Sequence, residues 1–235
     1  HALTRLSGRL LKQAGRPLLR ADELSGKAYG GRFAGFAEVR LTEPKAYGLS
    51  LSVEALDLAR FLRAEQGQAA REDVKGLLRG NLHLTSPLGG GRDRRATGQI
   101  QITQARIYEL PILLGFLHVL NLTLPSPGAF HAAEAAYHLE GDKLVIQRMR
   151  LQGSALSMFG AGRVDLGRQR LDLTFLTGPA RKLPDSPVKE FLEAIAGQLM
   201  TVRVTGTLAN PSLKTVPLRN LDATLRELHE PDEGS

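Results

Sequence analysis

Residues 97–122 read TGQIQITQARIYELPILLGFLHVLNL, and the period of this stretch changes half-way along. In the first half Ile100 and Ile102 alternate with glutamines, which is typical of a strand with one buried face. From Leu110 onward the apolar residues recur at helical spacing. About a dozen residues are too few for the ~20 that cross a bilayer, so we predict a short capping or membrane-facing helix. Its apolar candidates are Leu113, Phe116, Leu117 and Leu120.

Most of the remaining chain also alternates between apolar and polar residues, and the last predicted strand ends at Asn210 and Pro211. This pattern predicts a mainly β protein whose consecutive strands pair as an antiparallel meander. Two more short helices are predicted, one at 56–62 and one that begins at Pro187. The second helix places Phe191 and Ile195 on its apolar stripe, so these two residues are further capping or membrane-facing candidates.

Composition limits the classes of function. The 235 residues are 42% hydrophobic and 5% aromatic, and they include no cysteine and no tryptophan. A disulfide framework, a thiolate zinc site and a cysteine nucleophile are therefore excluded. The net charge of +7 attracts the phosphates of nucleic acid or of anionic lipid alike. The basic residues are spread along the chain with little aromatic interleaving, so we predict no nucleic-acid partner.

We expect residues 1–220 to form a single domain and residues 221–235 to be a polar, acidic and disordered tail. The chain begins at His1 rather than at an initiator methionine. We expect it to be a piece of a longer protein whose targeting or anchoring segment lies upstream.

The sequence contains no common catalytic motif. It lacks GxSxG, a phosphate loop, HExxH and a GxGxxG that joins a strand to a helix. The run Gly89–Gly91, followed by Arg92, Arg94 and Arg95, has the composition of a phosphate nest. A hairpin loop explains the same stretch better, because glycines and charges are usual in exposed turns.

Two other groups of polar residues have spacings that chemistry uses. His131, Glu134 and His138 would lie on one face of a helix as metal ligands, but on the predicted strand they point to opposite sides. Asp165 and Asp172 flank a turn and have the spacing of a carboxylate pair. Both fall outside the apolar sets of their strands, so we predict that they face water. We therefore predict no metal site and no catalytic residue.

The apolar faces are more informative than the polar residues. Many strands have one apolar face, and few helices are predicted to cover them. Either the sheet folds over on itself as a sandwich, or it curls into a trough whose apolar inside holds something else. Small residues such as Gly160, Ala161 and Gly162, together with Ala133 and Ala135, would leave room inside for an acyl chain.

In the order of its glycine-containing and alternating apolar segments, the chain resembles the C-terminal region of the AsmA-like proteins. These are large envelope proteins of Gram-negative bacteria. The resemblance extends from about Leu24 to Leu218 and consists of glycines and alternating apolar residues at matching spacings. The segments that carry it are SGKAYGGRFAG, YGLSLSVEALDLARFL, LRGNLHL, ATGQIQITQARIYELPILLGFLHVLNL, FHAAEAAYHLEGDKLVIQRMRLQGSALSMFGAGRVDL, GRQRLDLTF and TVRVTGTLANPSLKTVPL.

The resemblance implies a strongly bent antiparallel β-sheet that forms an apolar groove, capped by two or three short helices. It implies a periplasmic location, with attachment to the inner membrane through an N-terminal anchor absent from this chain, and no bound cofactor. The implied role is non-catalytic: phospholipid or another acyl lipid moves between inner and outer membrane, in support of outer-membrane biogenesis. Carried onto this sequence, the groove candidates are Ile100, Ile102, Leu156, Met158, Leu171, Leu173 and Phe175.

Two other classes of function stay open. In the first, the domain has a closed core without lipid and serves as an adaptor that docks on an outer-membrane assembly protein. In the second, a hydrolase or nucleic-acid site lies outside the common motifs. A cleft with a cluster of titratable groups of shifted pKa would favour the latter.

Overall fold

The computed structural model describes residues 3–12, 17–66, 75–106, 130–154, 156–179, 200–208 and 210–216. These residues form one antiparallel sheet of twelve strands, in which every strand pairs with its neighbours in sequence. The meander predicted from the alternation is therefore confirmed. The strands are β1 (Leu3–Lys12), β2 (Leu18–Ala28), β3 (Gly31–Arg40), β4 (Ala46–Asp57), β5 (Lys75–Pro87), β6 (Arg95–Arg106), β7 (Phe130–Glu140), β8 (Lys143–Gly153), β9 (Leu156–Asp165), β10 (Arg170–Pro179), β11 (Met200–Thr207) and β12 (Pro211–Val216).

The sheet is not closed, because in the described residues β1 and β12 have one strand partner each and do not pair with each other. Strand β12 is an addition to the predicted strands, the last of which ends at Asn210 and Pro211. Proline suits this position, because Pro211 is the first residue of an edge strand and its missing N–H interrupts no ladder.

One α-helix is present in the described part of the chain, α1 (Leu58–Gln66). It follows β4 directly, at the place where a helix was predicted. The Asp57 Oδ1 atom accepts a hydrogen bond of 3.1 Å from the backbone N–H of Arg60, which satisfies one of the free donors of the first turn. Leu58 belongs to the main hydrophobic cluster, and Phe61 and Leu62 are partly buried and pack against it. A single 3₁₀ turn, Gly91–Asp93, is the other helical element in the described ranges.

The other predicted helices lie outside the described residues, and so does the predicted tail 221–235. The candidates that fall there are Leu113, Phe116, Leu117, Leu120, Phe191 and Ile195. Within the described residues, no helix combines the length and the apolar character needed to cross a bilayer.

The two ends of the strands differ in their connections. At one end, called here the turn end, five short connections follow β3, β5, β7, β9 and β11. At the opposite end, called the helix end, α1 follows β4, and a tight turn at Tyr29 and Gly30 joins β2 to β3. The position of a residue in the sheet is therefore given by its strand and by its distance along that strand from the turn end.

Candidate functional site

One face of the sheet is apolar across almost its whole width, and we call it the apolar face. The cross-strand register shows this directly, because residues that are paired in the ladder lie on the same face. One such row crosses every strand from β2 to β12. It contains Gly26, Phe33, Val53, Gly80, Ile100, Ala135, Met149, Gly160, Phe175, Val202 and Thr215. Ten of these eleven residues are apolar or glycine, so the strands present one continuous apolar surface.

In strands β2–β6, called here the open region, the apolar face is only half covered. Most of its side chains are half-buried, while Leu56, Ser86, Ala96 and Ala105 in these strands are buried. The predicted groove residues Ile100 and Ile102 lie here, on the same face as Leu51 and Leu82. Ile102 also packs against the main hydrophobic cluster. Leucine and isoleucine side chains that stay in partial contact with water are free to gain further burial against an apolar ligand.

In strands β9–β11, called here the closed region, the same face is packed. The predicted groove residues Met158, Leu171, Leu173 and Phe175 are between 1% and 5% exposed. Together with Val202 and Val204 they belong to the main hydrophobic cluster. The side chain of Leu156 lies outside the described part, although its backbone begins β9. Four of the seven groove candidates therefore form a protein core.

The space that was predicted at the small residues of β9 is filled by neighbouring side chains. A Cβ atom built on Gly160 would lie 2.4 Å from the Phe175 ring, so the ring occupies the space that glycine leaves. At Gly162 the nearest atoms are backbone atoms of β10, the Asp172 carbonyl oxygen and the Leu173 Cα, and the Leu173 side chain follows at 3.0 Å. Ala161 lies on the opposite face and is buried there. The expectation of free room at these positions is not met, because large side chains of β10 cover the glycines of β9.

A large side chain also covers a glycine of the open region, and this side chain carries a hydroxyl group. Tyr137 of β7 pairs with Gly98 of β6, and its hydroxyl passes over this glycine to the backbone carbonyl of Asn81 in β5, at 3.5 Å. Burial raises the pKa of the Tyr137 phenol, because the ionised form would lose its hydration. The phenol therefore stays neutral on an apolar surface.

The opposite face, called here the polar face, carries cross-strand ion pairs and contains a shallow hollow of about 390 Å³. The pairs are Arg20–Glu38, Arg32–Glu54, Arg150–Glu134 and Arg203–Asp172. Arg79, Asn81, Gln99, Gln101 and Arg148 contribute side chains to the hollow. Glu134 also lines it and is already paired with Arg150, at 3.0 Å. A hollow of hydrogen-bonding side chains suits water or a small polar molecule better than an acyl chain.

Arg20 on the polar face contacts both a carboxylate and an aromatic ring. Arg20 hydrogen-bonds to Asp22, and its guanidinium lies 4.5 Å from the centre of the Phe36 ring. The bond to Asp22 raises the pKa of Arg20 above its usual value. A cation held between a carboxylate and an aromatic ring has a structural role in β2 and β3.

The two aspartates considered as a carboxylate pair, and Arg94 of the glycine–arginine turn, each have other partners. Asp172 binds Arg203 through both carboxylate oxygens, at 3.0 and 2.9 Å, while Asp165 accepts a hydrogen bond of 2.8 Å from the Arg168 backbone N–H. Arg94 is held by Asp142 and by the Gly141 carbonyl. Each of these groups thus serves to join neighbouring strands or turns.

The three residues considered as metal ligands lie at different places along β7. On β7, Glu134 and His138 lie on the polar face, opposite Gln101 and Thr97 of β6, while His131 lies near the start of the strand. In the described residues, no group of three histidine, aspartate or glutamate side chains is close enough together to hold a metal ion.

The chain matches no protein-family model, and neither the curated proteins nor the solved structures contain a significant match. The observations that bear on function are those of the apolar face and its surroundings.

The open region was not singled out from the sequence, although its signal was present. The alternation at Leu49, Leu51 and Val53 defines its face as clearly as the alternation at Leu171 and Leu173 defines the closed face. Alternation reports which side chains share a face, and burial depends on what covers that face. The runs in β9 held a further signal, because Met158 and Phe159 are adjacent apolar residues on opposite faces, which is typical of a strand buried on both sides.

Proposed function

We propose that this chain is a non-catalytic, lipid-binding segment of an envelope lipid-transfer protein, and that acyl chains of phospholipid lie on the apolar face of its open region. In this proposal the sheet is strongly bent, the apolar face lines a groove, and the longer protein connects inner and outer membrane in the periplasm. The observation that supports it is the half-buried apolar face of β2–β6, whose central rows, Phe33–Val53–Gly80–Ile100 and Gly35–Leu51–Leu82–Gly98, contain no polar side chain.

The dimensions of the face fit an acyl ligand. Strands of a sheet lie about 4.8 Å apart, so eleven steps between twelve strands give a width on the order of 50 Å. The hydrocarbon core of a bilayer is about 30 Å across two leaflets, which assigns about 15 Å to one acyl chain. The open region alone, with five strands, is wide enough for one chain.

The chemistry of the open region also favours a ligand without polar groups. The Tyr137 hydroxyl points to a backbone carbonyl, and the other side chains of the central rows are aliphatic, aromatic or glycine. Specificity for a headgroup therefore has to come from outside this face. A transfer protein that moves several phospholipids needs this kind of surface.

A second function is favoured by the closed region, where the same face is a packed core. An adaptor that docks on an outer-membrane assembly protein needs a rigid sheet and no ligand. Phe159, Ala161 and Leu176 are buried on the opposite face as well, so this part of the sheet has no free apolar surface for a ligand in the described residues. The two proposals differ in whether the open region holds lipid.

Native mass spectrometry with solvent extraction tests the lipid proposal. The chain is produced in a Gram-negative host, purified without detergent, and compared with the variants Leu51→Glu and Ser50→Glu. These neighbours in β4 differ in face, because Leu51 is paired with Leu82 and Ser50 with His83. We expect phospholipid in a reproducible ratio with the unmodified chain and with Ser50→Glu, and little or none with Leu51→Glu, because a buried charge opposes acyl binding.

The result that contradicts the lipid proposal is a protein mass without lipid in a folded sample, or equal lipid in both variants. Circular dichroism establishes that each variant is folded before lipid is compared. A lipid-free and folded protein would support the adaptor function.

A further inference from the structure

The turn end carries exposed leucines in a regular arrangement. Leu41, Leu88, Leu166 and Leu208 are each the first residue after a strand, at the ends of β3, β5, β9 and β11. Their side chains are 45%, 46%, 39% and 45% exposed. Single exposed leucines are common on protein surfaces. Here four leucines occupy the same position, directly after a strand, and the meander topology brings all four to one edge of the sheet.

Backbone hydrogen bonds hold these leucines in place. The N–H of each first turn residue donates to a carbonyl of the preceding connection at the same end. The bonds are Leu41 to Pro17 (2.8 Å), Leu88 to Lys45 (2.8 Å), Gly141 to Arg94 (2.8 Å), Leu166 to Asp142 (2.8 Å) and Leu208 to Gln169 (3.0 Å). The turns are linked to one another from β2 to β11, so the row needs little ordering before it binds a partner.

The spacing of the row follows from the meander. Successive connections at the turn end are two strands apart, which is about 10 Å. The connection after β7 is Gly141–Asp142 and has no leucine. The row therefore consists of two leucines on each side of a central gap, and it extends over a distance on the order of 40 Å.

A charged hollow of about 690 Å³ occupies the central gap. Its titratable side chains are Arg92, Arg94, Arg95, Lys143 and Arg168, with Asp93, Glu140, Asp142 and Asp165. Arg94 pairs with Asp142 at 2.6 Å, and Arg168 pairs with Asp165 at 3.8 Å. Arg92, Arg95 and Lys143 form no salt bridge with a carboxylate in the described part of the chain.

The turn end as a whole is basic. The connections and the residues beside them, 40–45, 88–95, 140–143 and 165–170, contain eight basic and five acidic side chains. Their net charge of +3 is located where the leucines are exposed. A surface that combines inserted apolar side chains with nearby cations has the composition of proteins that bind anionic bilayers.

We infer that the turn end is a docking edge for the surface of a bilayer that contains anionic phospholipid. The four leucines enter the boundary between headgroups and acyl chains, and the basic side chains of the central hollow bind lipid phosphates. Within each pair the leucines stand about 10 Å apart, and the central gap with its charged residues separates the two pairs by about 20 Å. A protein interface would need a contiguous apolar centre instead, so the arrangement favours a lipid surface. This inference does not depend on lipid carriage by the apolar face.

A tryptophan probe tests the contact directly, because the chain has no tryptophan of its own. Leu88→Trp places the probe at the turn end, and Leu6→Trp in the middle of β1, where the leucine is 68% exposed, is the control. Each variant is mixed with phosphatidylcholine vesicles with and without phosphatidylglycerol. We expect a blue shift of the fluorescence for Leu88→Trp with phosphatidylglycerol vesicles, and no shift for Leu6→Trp. The absence of a shift at position 88, or an equal shift at both positions, would overturn the inference.

Vesicle co-sedimentation measures the contribution of the leucines and the charges. We expect the double variant Leu88→Ser with Leu166→Ser to bind phosphatidylglycerol vesicles about tenfold more weakly or worse, because less apolar area is buried. The control Leu6→Ser with Leu10→Ser removes two leucines that are 68% and 74% exposed on β1, and its binding should be unchanged. Arg92→Gln with Lys143→Gln should weaken binding and reduce its dependence on salt.

Equal binding of the leucine variant and the unmodified chain would overturn the inference. Self-association that the same variant abolishes, without vesicle binding, would also overturn it and would identify a second copy of the chain as the partner. The outcome is separate from that of the lipid-extraction experiment, since Leu88 and Leu166 lie outside the central rows of the apolar face. Co-purified lipid should be unaffected by the leucine variant.

Discussion

Strands β5 and β10 have the same alternation and lie in the same sheet, yet their apolar faces have different surroundings. In β5, Leu82 is half-buried and lies opposite Gly98 of the next strand. In β10, Leu173 is 5% exposed and lies opposite Gly162 of β9. Leucine opposite glycine thus occurs in both regions, with an exposed surface in one and a core in the other. The difference shows that the alternation of side chains defines which residues share a face of the sheet. Whether that face is a core or a binding surface depends on what covers it.

The largest expected contrast is in stability. Leu173→Ala removes a fully packed side chain of the closed region and should lower the free energy of unfolding by about 2–5 kcal/mol. Leu82→Ala is the matched change in the open region, and its cost should be about half as large, because water already contacts the side chain. Urea unfolding of both variants checks this. Equal losses would mean that the two regions are packed alike.

A second contrast concerns the glycines beneath large side chains. Gly160→Ala would place a Cβ atom 2.4 Å from the Phe175 ring and 2.8 Å from the Thr174 carbonyl, so it should destabilise the protein by about 1–3 kcal/mol. Gly48→Ala is the control, since the nearest atom is the flexible Glu38 side chain at 3.2 Å. Thermal unfolding measures both. A neutral Gly160→Ala would show that the ring can move away.

The polar face of the closed region should contribute less. Asp172→Asn removes the charge that Nε and Nη2 of Arg203 contact, and both side chains are about half exposed. Exposed pairs contribute about 0.2–1 kcal/mol, so we expect a loss in this range that disappears at high salt. Unfolding in low and high salt provides the test. A loss that is independent of salt would point to a packing role for Asp172.

The smallest expected effect is a pH dependence at Tyr137 of β7, whose ring covers Gly98 of the open region. The folded protein holds the Tyr137 proton more tightly than the unfolded chain does, because its pKa is raised. Its contribution to stability is complete below the unfolded value of about 10 and is lost as the pH rises through the folded value. Tyr137→Phe should therefore lose less stability than the unmodified chain above about pH 10. Parallel losses in both proteins would contradict this assignment.

Much of the architecture was predictable because it is local. The alternation located most of the strands, the order of the strands followed from short connections, and α1 was expected where Asp57 caps it. The prediction that the last strand ends at Pro211 is wrong, because this proline begins an edge strand. The expected room at Gly160 was wrong for a non-local reason: the ring that fills it comes from β10, opposite in the ladder.

The candidate site was less predictable than the fold. The pattern placed Ile100, Leu173 and Phe175 on one apolar face, and the register confirms that they share it. It could not separate half-buried Ile100 from buried Leu173 and Phe175, because burial depends on contacts between distant parts of the chain. Lipid carriage, the periplasmic location and the resemblance to AsmA-like proteins stay proposals.

By itself the sequence determined the faces of the strands and the meander, because side-chain direction in a strand has a period of two and short connections pair neighbours. The tertiary structure alone decided which part of the apolar face is open. It also decided that Leu41, Leu88, Leu166 and Leu208, far apart in the chain, stand along one edge. The physical reason is that burial and proximity arise from the packing of the whole sheet, where each strand end is held by its neighbour.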